Sequence, residues 1–266
     1  MLRYLKYYDY YLEIFAKRLS GRGLMNPQNN GEFAILKNVI KLRKEHQQIT
    51  FFDGGANFGT HSLFFSNTHK NNCSNKCRII SVEPFPSTAE ILKKNLKTVN
   101  CEILEVALGD QTSNTDFFFE SGTTDGGQNS LIKHYYLENK VTVKQTTIDK
   151  LVKTLKLEHI DFLKLDIEGA ELRALMGAQS TLKQGKIDYI QLEYNQTWIA
   201  AGATIEKILK LAQNHDYELF RIRKNDLLAI RNYDFNLDDF FFCNLLLVKK
   251  GCELPLPCYR KASPLI

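Results

Sequence analysis

The stretch Asp53-Gly54-Gly55-Ala56-Asn57-Phe58-Gly59 follows directly on the apolar run Ile49-Thr50-Phe51-Phe52. That run reads as a strand that ends at an acid. The chain then turns through three glycines and an asparagine into a segment that reads as a helix over 59–68. Gly55 and Gly59 let the backbone take positive φ and approach a ligand closely. A helix starting near Gly59 points unpaired amides and the positive end of its dipole at whatever lies there. The spacing departs from the dinucleotide fingerprint G-x-G-x-x-G, because Asn57 stands where the second glycine belongs. An acid ahead of the glycines would also repel a pyrophosphate, whereas it would welcome an ammonium.

Outward from this turn, strands and helices alternate. Apolar runs at 49–53, 78–83, 101–106, 160–165, 187–193, 217–222 and 242–248 read as strands, and 59–68, 86–99, 170–183 and 204–214 as helices. Such alternation predicts βαβ units and a mostly parallel sheet. The segment 109–146 reads as shorter strands around a Gly/Thr/Asn loop, with 121–132 as a lid or specificity loop. Upstream, Leu5, Tyr8, Leu12, Phe15 and Leu19 have the spacing of an amphipathic helix over 2–19, and a second helix is expected over 31–45. The division that follows is an N-terminal helical extension (1–45), a catalytic domain (46–250) and an irregular tail (251–266).

Composition narrows the class. The chain has 266 residues, is 44% hydrophobic and 24% charged, and carries a net charge of +5 without a Lys/Arg block. This is ordinary for a globular protein and argues against a dedicated nucleic-acid binder. No apolar run reaches the length of a transmembrane helix, and the charged, aromatic N-terminus is unlike a signal peptide, so a cytoplasmic location is expected. A chain this long does not need its six cysteines as a disulfide framework. His69, Cys73 and Cys77 have a metal-like spacing but lack a second close pair, so no metal is assigned.

In an open parallel sheet, ligands sit beyond the carboxyl ends of the strands. Those ends carry Asp53, Glu83, Asp110, the pair Asp166/Glu168, and Glu193. Acid, glycine turn and a second strand ending in Glu83 fit S-adenosylmethionine, with Asp53 near its amino-acid end and Glu83 accepting both ribose hydroxyls. The gap between Asp53 and Glu83 exceeds that of the dinucleotide fingerprint, and a polar insertion over 69–77 accounts for the excess.

The segments DGGANFGTHS (53–62), ISVEPFPSTAEILKKNL (80–96), EVALGD (105–110), IDFLKLDIEGAELRAL (160–175) and IQLEYNQTWIAAGATIEKIL (190–209) resemble the FkbM-type methyltransferases over roughly residues 31–248. The resemblance implies a Rossmann-like, seven-stranded methyltransferase sheet, mostly parallel with the last strand antiparallel and helices on both faces. It also implies S-adenosylmethionine as donor and transfer to an oxygen of a sugar, glycan or other small-molecule acceptor. Carried over by position, Asp53, Gly55, Asn57 and Gly59 form the first cofactor loop and Glu83 holds the ribose. Ala107 and Leu108 border the adenine, and Asp166 lies by the methionine end or the acceptor. Gly54 departs from the apolar residue commoner at its position.

Methyl transfer to an alcohol needs a group to take the hydroxyl proton. Asp166 and Glu168 are two apart at a strand end and can share a face, so they are the candidate catalytic carboxylates. His61 is an alternative base, Glu193 a candidate ligand of the acceptor hydroxyl, and Glu171 a helix-capping acid. The N-terminal helix could cover the cleft, form a homodimer contact or touch a surface. Other classes remain open on this sequence: a non-catalytic S-adenosylmethionine- or nucleotide-binding module, and a nicotinamide oxidoreductase, which Asn57 and Asp53 disfavour.

Overall fold

The computed structural model describes residues 11–12, 14–18, 22–120, 129–133 and 137–259. Residues 2–10, 13 and 19 of the expected first helix and 121–128 of the expected lid lie outside them; 11–12 and 14–18 are helical. The central sheet has nine strands. From one edge they are β3 (Cys101–Leu104), β2 (Lys76–Val82), β1 (Gln48–Gly54), β7 (Ile160–Leu165), β8 (Ile187–Tyr194), β11 (Cys243–Lys249), β9 (Tyr217–Ile222), β10 (Leu227–Ile230) and β12 (Cys258–Tyr259). The strands from β3 to β8 are mutually parallel, and β11 is antiparallel to both β8 and β9. The seven strands expected from the sequence are all present. Two more extend the edge: β10 turns back on β9, and β12 lies parallel to β10, so part of the tail read as irregular joins the sheet.

Among the local boundaries that differ from the sequence reading, three have a visible reason. The helix Thr60–Asn72 runs past 68, so the connection to β2 is short and 69–77 is not a loop insertion. Strand β3 stops at Leu104, because Ala107–Leu108 (β4) pairs instead with β6 (Asn139–Thr146). With β5 (Ser113–Phe119), these strands form a second sheet of three. The helix expected over 170–183 breaks into Glu171–Met176 and Gln179–Lys183. At the break the Gly177 carbonyl accepts from the Asp149 amide, and a Cβ on Gly177 would overlap the Gly109 carbonyl oxygen.

Both faces of the central sheet are covered, which explains why its inner strands are apolar along their length. On one face Ile49, Phe51, Ile79, Phe162 and Tyr189 pack under Ile35, Leu36, Val39 and Ile40 of the helix Glu32–Leu42 and under Phe65. On the other, Phe52, Leu163, Leu165, Ile190 and Leu192 meet the helices that carry Leu151, Leu175, Leu182 and Ile208. Each such side chain, fully buried, contributes about 1.5–3 kcal/mol. Among the described residues no helix is long and apolar enough to cross a membrane.

The first face changes character near the carboxyl ends. Two residues beyond the aromatic row Phe51–Phe162–Tyr189, on the same side of the pleat, the cross-strand neighbours are Ser81, Asp53, Lys164 and Gln191. All four are buried. A polar row thus closes the core below the strand ends.

The turn after β1 meets the turn after β7 backbone to backbone. The Asp166 amide donates to the Gly54 carbonyl at 3.0 Å, and Gly55 sits at φ 77° with its Cα against the Asp166 carbonyl. Gly55→Ala therefore combines left-handed strain with a backbone clash. Gly202 has a similar φ of 62° and open space around it. The left-handed conformation costs roughly 1–2 kcal/mol for a residue with a Cβ. Gly202→Ala should lower Tm by about 2–6 °C, and Gly55→Ala by at least twice as much, as measured by calorimetry. Equal shifts would contradict this account of the turn.

Candidate active site

At the carboxyl ends of β1, β2, β7 and β8 lies a cavity of ≈ 160 Å³. Its lining includes Gly55, Asn57, Glu83, Ala107, Leu108, Asp166, Glu168 and Glu193, so most of the residues singled out in the sequence are brought together. Val106, Phe117 and Leu131 complete an apolar wall, and Met25 and Asn129 also line it. Asp53 and Gly59 do not. Asp53 is fully buried beneath the turn, where its Oδ2 accepts from Ser62 Oγ at 2.7 Å. Gly59 is packed against Leu92 and Leu96. His61 is likewise absent from the lining: its Nε2 lies 2.8 Å from Glu32 Oε2.

Glu83 is held from two sides. Its Oε2 accepts from the Asn57 amide at 3.1 Å and its Oε1 from the Phe85 amide at 3.0 Å, so the turn after β1 and the helix Pro86–Asn95 both aim it. Burial pushes its pKa up to about 7, against the pull of those two amides. A carboxylate has about four acceptor positions, so two remain for a ligand's hydroxyls.

Three carboxyl groups converge on the other side of the cavity. The ligating oxygens of Asp166, Glu168 and Glu193 lie within 4.8 Å of one another. Asp166, one-third exposed, accepts from Lys164 Nζ at 2.9 Å. Glu168 sits at φ 51°, an uncommon conformation for a residue with a side chain. Three bonds hold it there: Ser130 Oγ donates to its carbonyl at 2.6 Å, and Glu171 accepts from the amides of Ile167 (2.9 Å) and Gly169 (3.0 Å). Asn195 Nδ2 donates to Glu193 at 2.9 Å and to Glu168 at 3.3 Å, while its Oδ1 accepts from the Thr197 amide and hydroxyl.

Burial and then the neighbouring Asp166 raise both Glu168, to about 8, and Glu193. Lys164 meets part of the negative charge in this trio. A second group, His159, Asp161 and Asp188, lies at the opposite ends of the strands, where Arg43 already pairs with Asp188 at 2.8 Å. The His69–Cys73–Cys77 pattern resolves differently: His69 Nε2 pairs with Asn75 Oδ1 at 2.9 Å, and burial pushes the Cys77 thiol up to about 12.

Sequence reasoning passed over Lys164, Glu32 and Ser130. Lys164 carried a signal, since a lysine inside IDFLKLD falls on the core side of a strand buried on both faces. Glu32 had none, because only the fold brings it to Gln191, Asn244 and His61.

Residues 53–219 match the family described as the methyltransferase FkbM domain. Over 204 residues the chain is 25% identical to the hexuronic acid methyltransferase AglP of Haloferax volcanii, covering 74% of this chain and 79% of that protein. It is 24% identical over 194 residues to the 2-O-methyltransferase NoeI of Sinorhizobium fredii, covering 68% and 76% respectively. A solved structure of methyltransferase FkbM from Methylobacillus flagellatus superimposes with a TM-score of 0.46 at 15% identity, over 87% of this chain and 57% of that one.

Glu171 is the keystone of the second turn. Replacing it with alanine leaves two amides without their acceptor in a buried turn, at about 1–3 kcal/mol each. Glu171→Ala should lose about 2–4 kcal/mol in urea unfolding. A loss below about 1 kcal/mol would show that the turn holds itself.

Proposed function

The chain belongs to the FkbM methyltransferase family, and from that premise we propose that it transfers a methyl group from S-adenosylmethionine to a hydroxyl oxygen of a sugar or other small-molecule acceptor. The observation that carries this reading is the pairing, across one cavity, of Glu83 with the Asp166/Glu168/Glu193 trio. The relatives named above act on a hexuronic acid and at a 2-O position, which supports a sugar hydroxyl as acceptor.

Glu83 accepts the two ribose hydroxyls, and Val106, Ala107, Leu108 and Phe117 offer the adenine an apolar slot. Asp166, held by Lys164, faces the methionine ammonium. When bound, the donor supplies an electrophilic sulfonium methyl. Glu168 then takes the acceptor's hydroxyl proton as the oxygen attacks and the carbon–sulfur bond breaks. A carboxylate with a pKa near the working pH is a stronger base than an ordinary one. Asn195 and Glu193 orient Glu168 and the acceptor.

Two outcomes test the donor site and the base. Glu83→Ala should weaken S-adenosylhomocysteine binding about tenfold or more in calorimetry, since a hydrogen bond to a charged group contributes about 1.5–3 kcal/mol; unchanged affinity would remove Glu83 from the site. With labelled donor and a panel of hexuronic acids, neutral sugars and small alcohols, Glu168→Gln should lower kcat by ~10²-fold or more while binding the product as wild type does. Only the deprotonated form of Glu168 acts as base, so wild-type kcat should rise with pH, reach half its maximum near 8 and level off above it. A pH-independent rate, or full turnover by Glu168→Gln, would exclude this base. Binding without transfer to any acceptor would favour a non-catalytic module.

A further inference from the structure

We propose that Lys164 is a positioning residue for donor binding, its buried ammonium fixing the Asp166 carboxylate against the positively charged methionine end. This rests on the reading of the cavity as an S-adenosylmethionine site. Lys164 lies within β7, and its side chain is 2% exposed. Among the described residues it is the one buried lysine. An ammonium has three donors, and the direction in which it spends them orients its neighbours.

Three acids face it, each from a different element. Asp53 comes from β1, Asp166 from the turn after β7, and Glu32 from the start of the helix Glu32–Leu42. Their roles differ. Asp53 Oδ1 is 3.9 Å away, and its other oxygen belongs to Ser62. Glu32 is engaged by His61, Asn30, Gln191 and Asn244. The one short hydrogen bond from Lys164 Nζ to these acids is to Asp166 Oδ2, at 2.9 Å. Asp166 is also the one of the three that lines the cavity. The ammonium therefore holds one oxygen of a carboxylate that lines the cavity, where Glu193 also hydrogen-bonds to it.

The sheet's own pattern argues that this is more than packing. Two residues earlier, the same face carries Phe51, Phe162 and Tyr189, whereas the register of Lys164 is polar throughout, with Ser81, Asp53 and Gln191. Replacing a buried ion pair with apolar residues is often neutral or stabilising. A lone ammonium beneath a cationic ligand would repel it, but here the acids outnumber it. The charge that reaches the cavity through Asp166 is negative.

The test is a double-mutant cycle on the full chain, reading S-adenosylhomocysteine affinity by calorimetry. Lys164→Met and Asp166→Asn should each weaken binding about tenfold or more. The double variant should bind within about twofold of Asp166→Asn alone, because Lys164 acts through that carboxylate. Wild-type affinity in Lys164→Met, or losses that simply add, would overturn the proposal. Should Lys164→Met fail to fold, the lysine ammonium signals of the nitrogen-15-labelled wild type are followed by NMR. The slowly exchanging buried ammonium should shift on saturation with S-adenosylhomocysteine and be displaced in Asp166→Asn. A signal indifferent to both would overturn it equally. If the wild type binds no S-adenosylhomocysteine at all, the donor-site reading itself falls; a wild type that binds, with an indifferent Lys164, sinks only this inference.

Discussion

The parallel pairing of β1 with β7 sets two turns against each other, one after Gly54 and one after Leu165, and the site exists because they can touch. Gly55 has no side chain to hold them apart, and the Asp166 amide closes the gap on the Gly54 carbonyl. The strand order reverses here: β2 and β3 lie to one side of β1, and β7 and β8 to the other. This is where open α/β sheets leave a crevice. Glu83 reaches the crevice from one flank and the Asp166/Glu168/Glu193 trio from the other. Any side chain at 55 would separate the groups that must act on one ligand.

Charge in this region is arranged in two layers. The lower layer, Asp53, Lys164, Gln191 and Glu32, is buried and bonded within itself. Burial works against the Glu32 charge, yet the hydrogen bond and charge of His61 hold its pKa down at about 2. The upper layer faces the cavity, and burial first, then the neighbouring carboxylates, pushes Glu83, Glu168 and Glu193 up. Asp166 belongs to both layers. A site built this way can offer a fixed anion to a cationic ligand and, beside it, a carboxyl group that exchanges its proton near neutral pH.

What the sequence revealed follows from this geometry. Strand ends are readable because apolar runs stop there, so Glu83, Asp166, Glu168 and Glu193 could be found by looking just past each run. The direction of a side chain is harder to read. Asp53 ends its strand as visibly as the others, but it shares a face with Phe51 and lies under the helix that carries Ser62. Gly59 closes the same turn, yet it packs against Leu92 and Leu96 and does not line the cavity. Ser130 pairs with Phe118, a pairing no local pattern encodes, and its hydroxyl reaches the Glu168 carbonyl. Helix boundaries slipped where a tertiary contact overrode local propensity, as at Gly177, where the Asp149 amide meets its carbonyl.

The most direct measurement is a crystal structure of the protein with S-adenosylhomocysteine bound. The account predicts the ribose hydroxyls on Glu83 and the adenine between Ala107–Leu108 and Phe117. It places the homocysteine end at Gly55 and Asp166, with its sulfur on the side of Glu168. Density for the ligand at the opposite strand ends, among Arg43, Asp161 and Asp188, or a ribose that leaves Glu83 untouched, would contradict it.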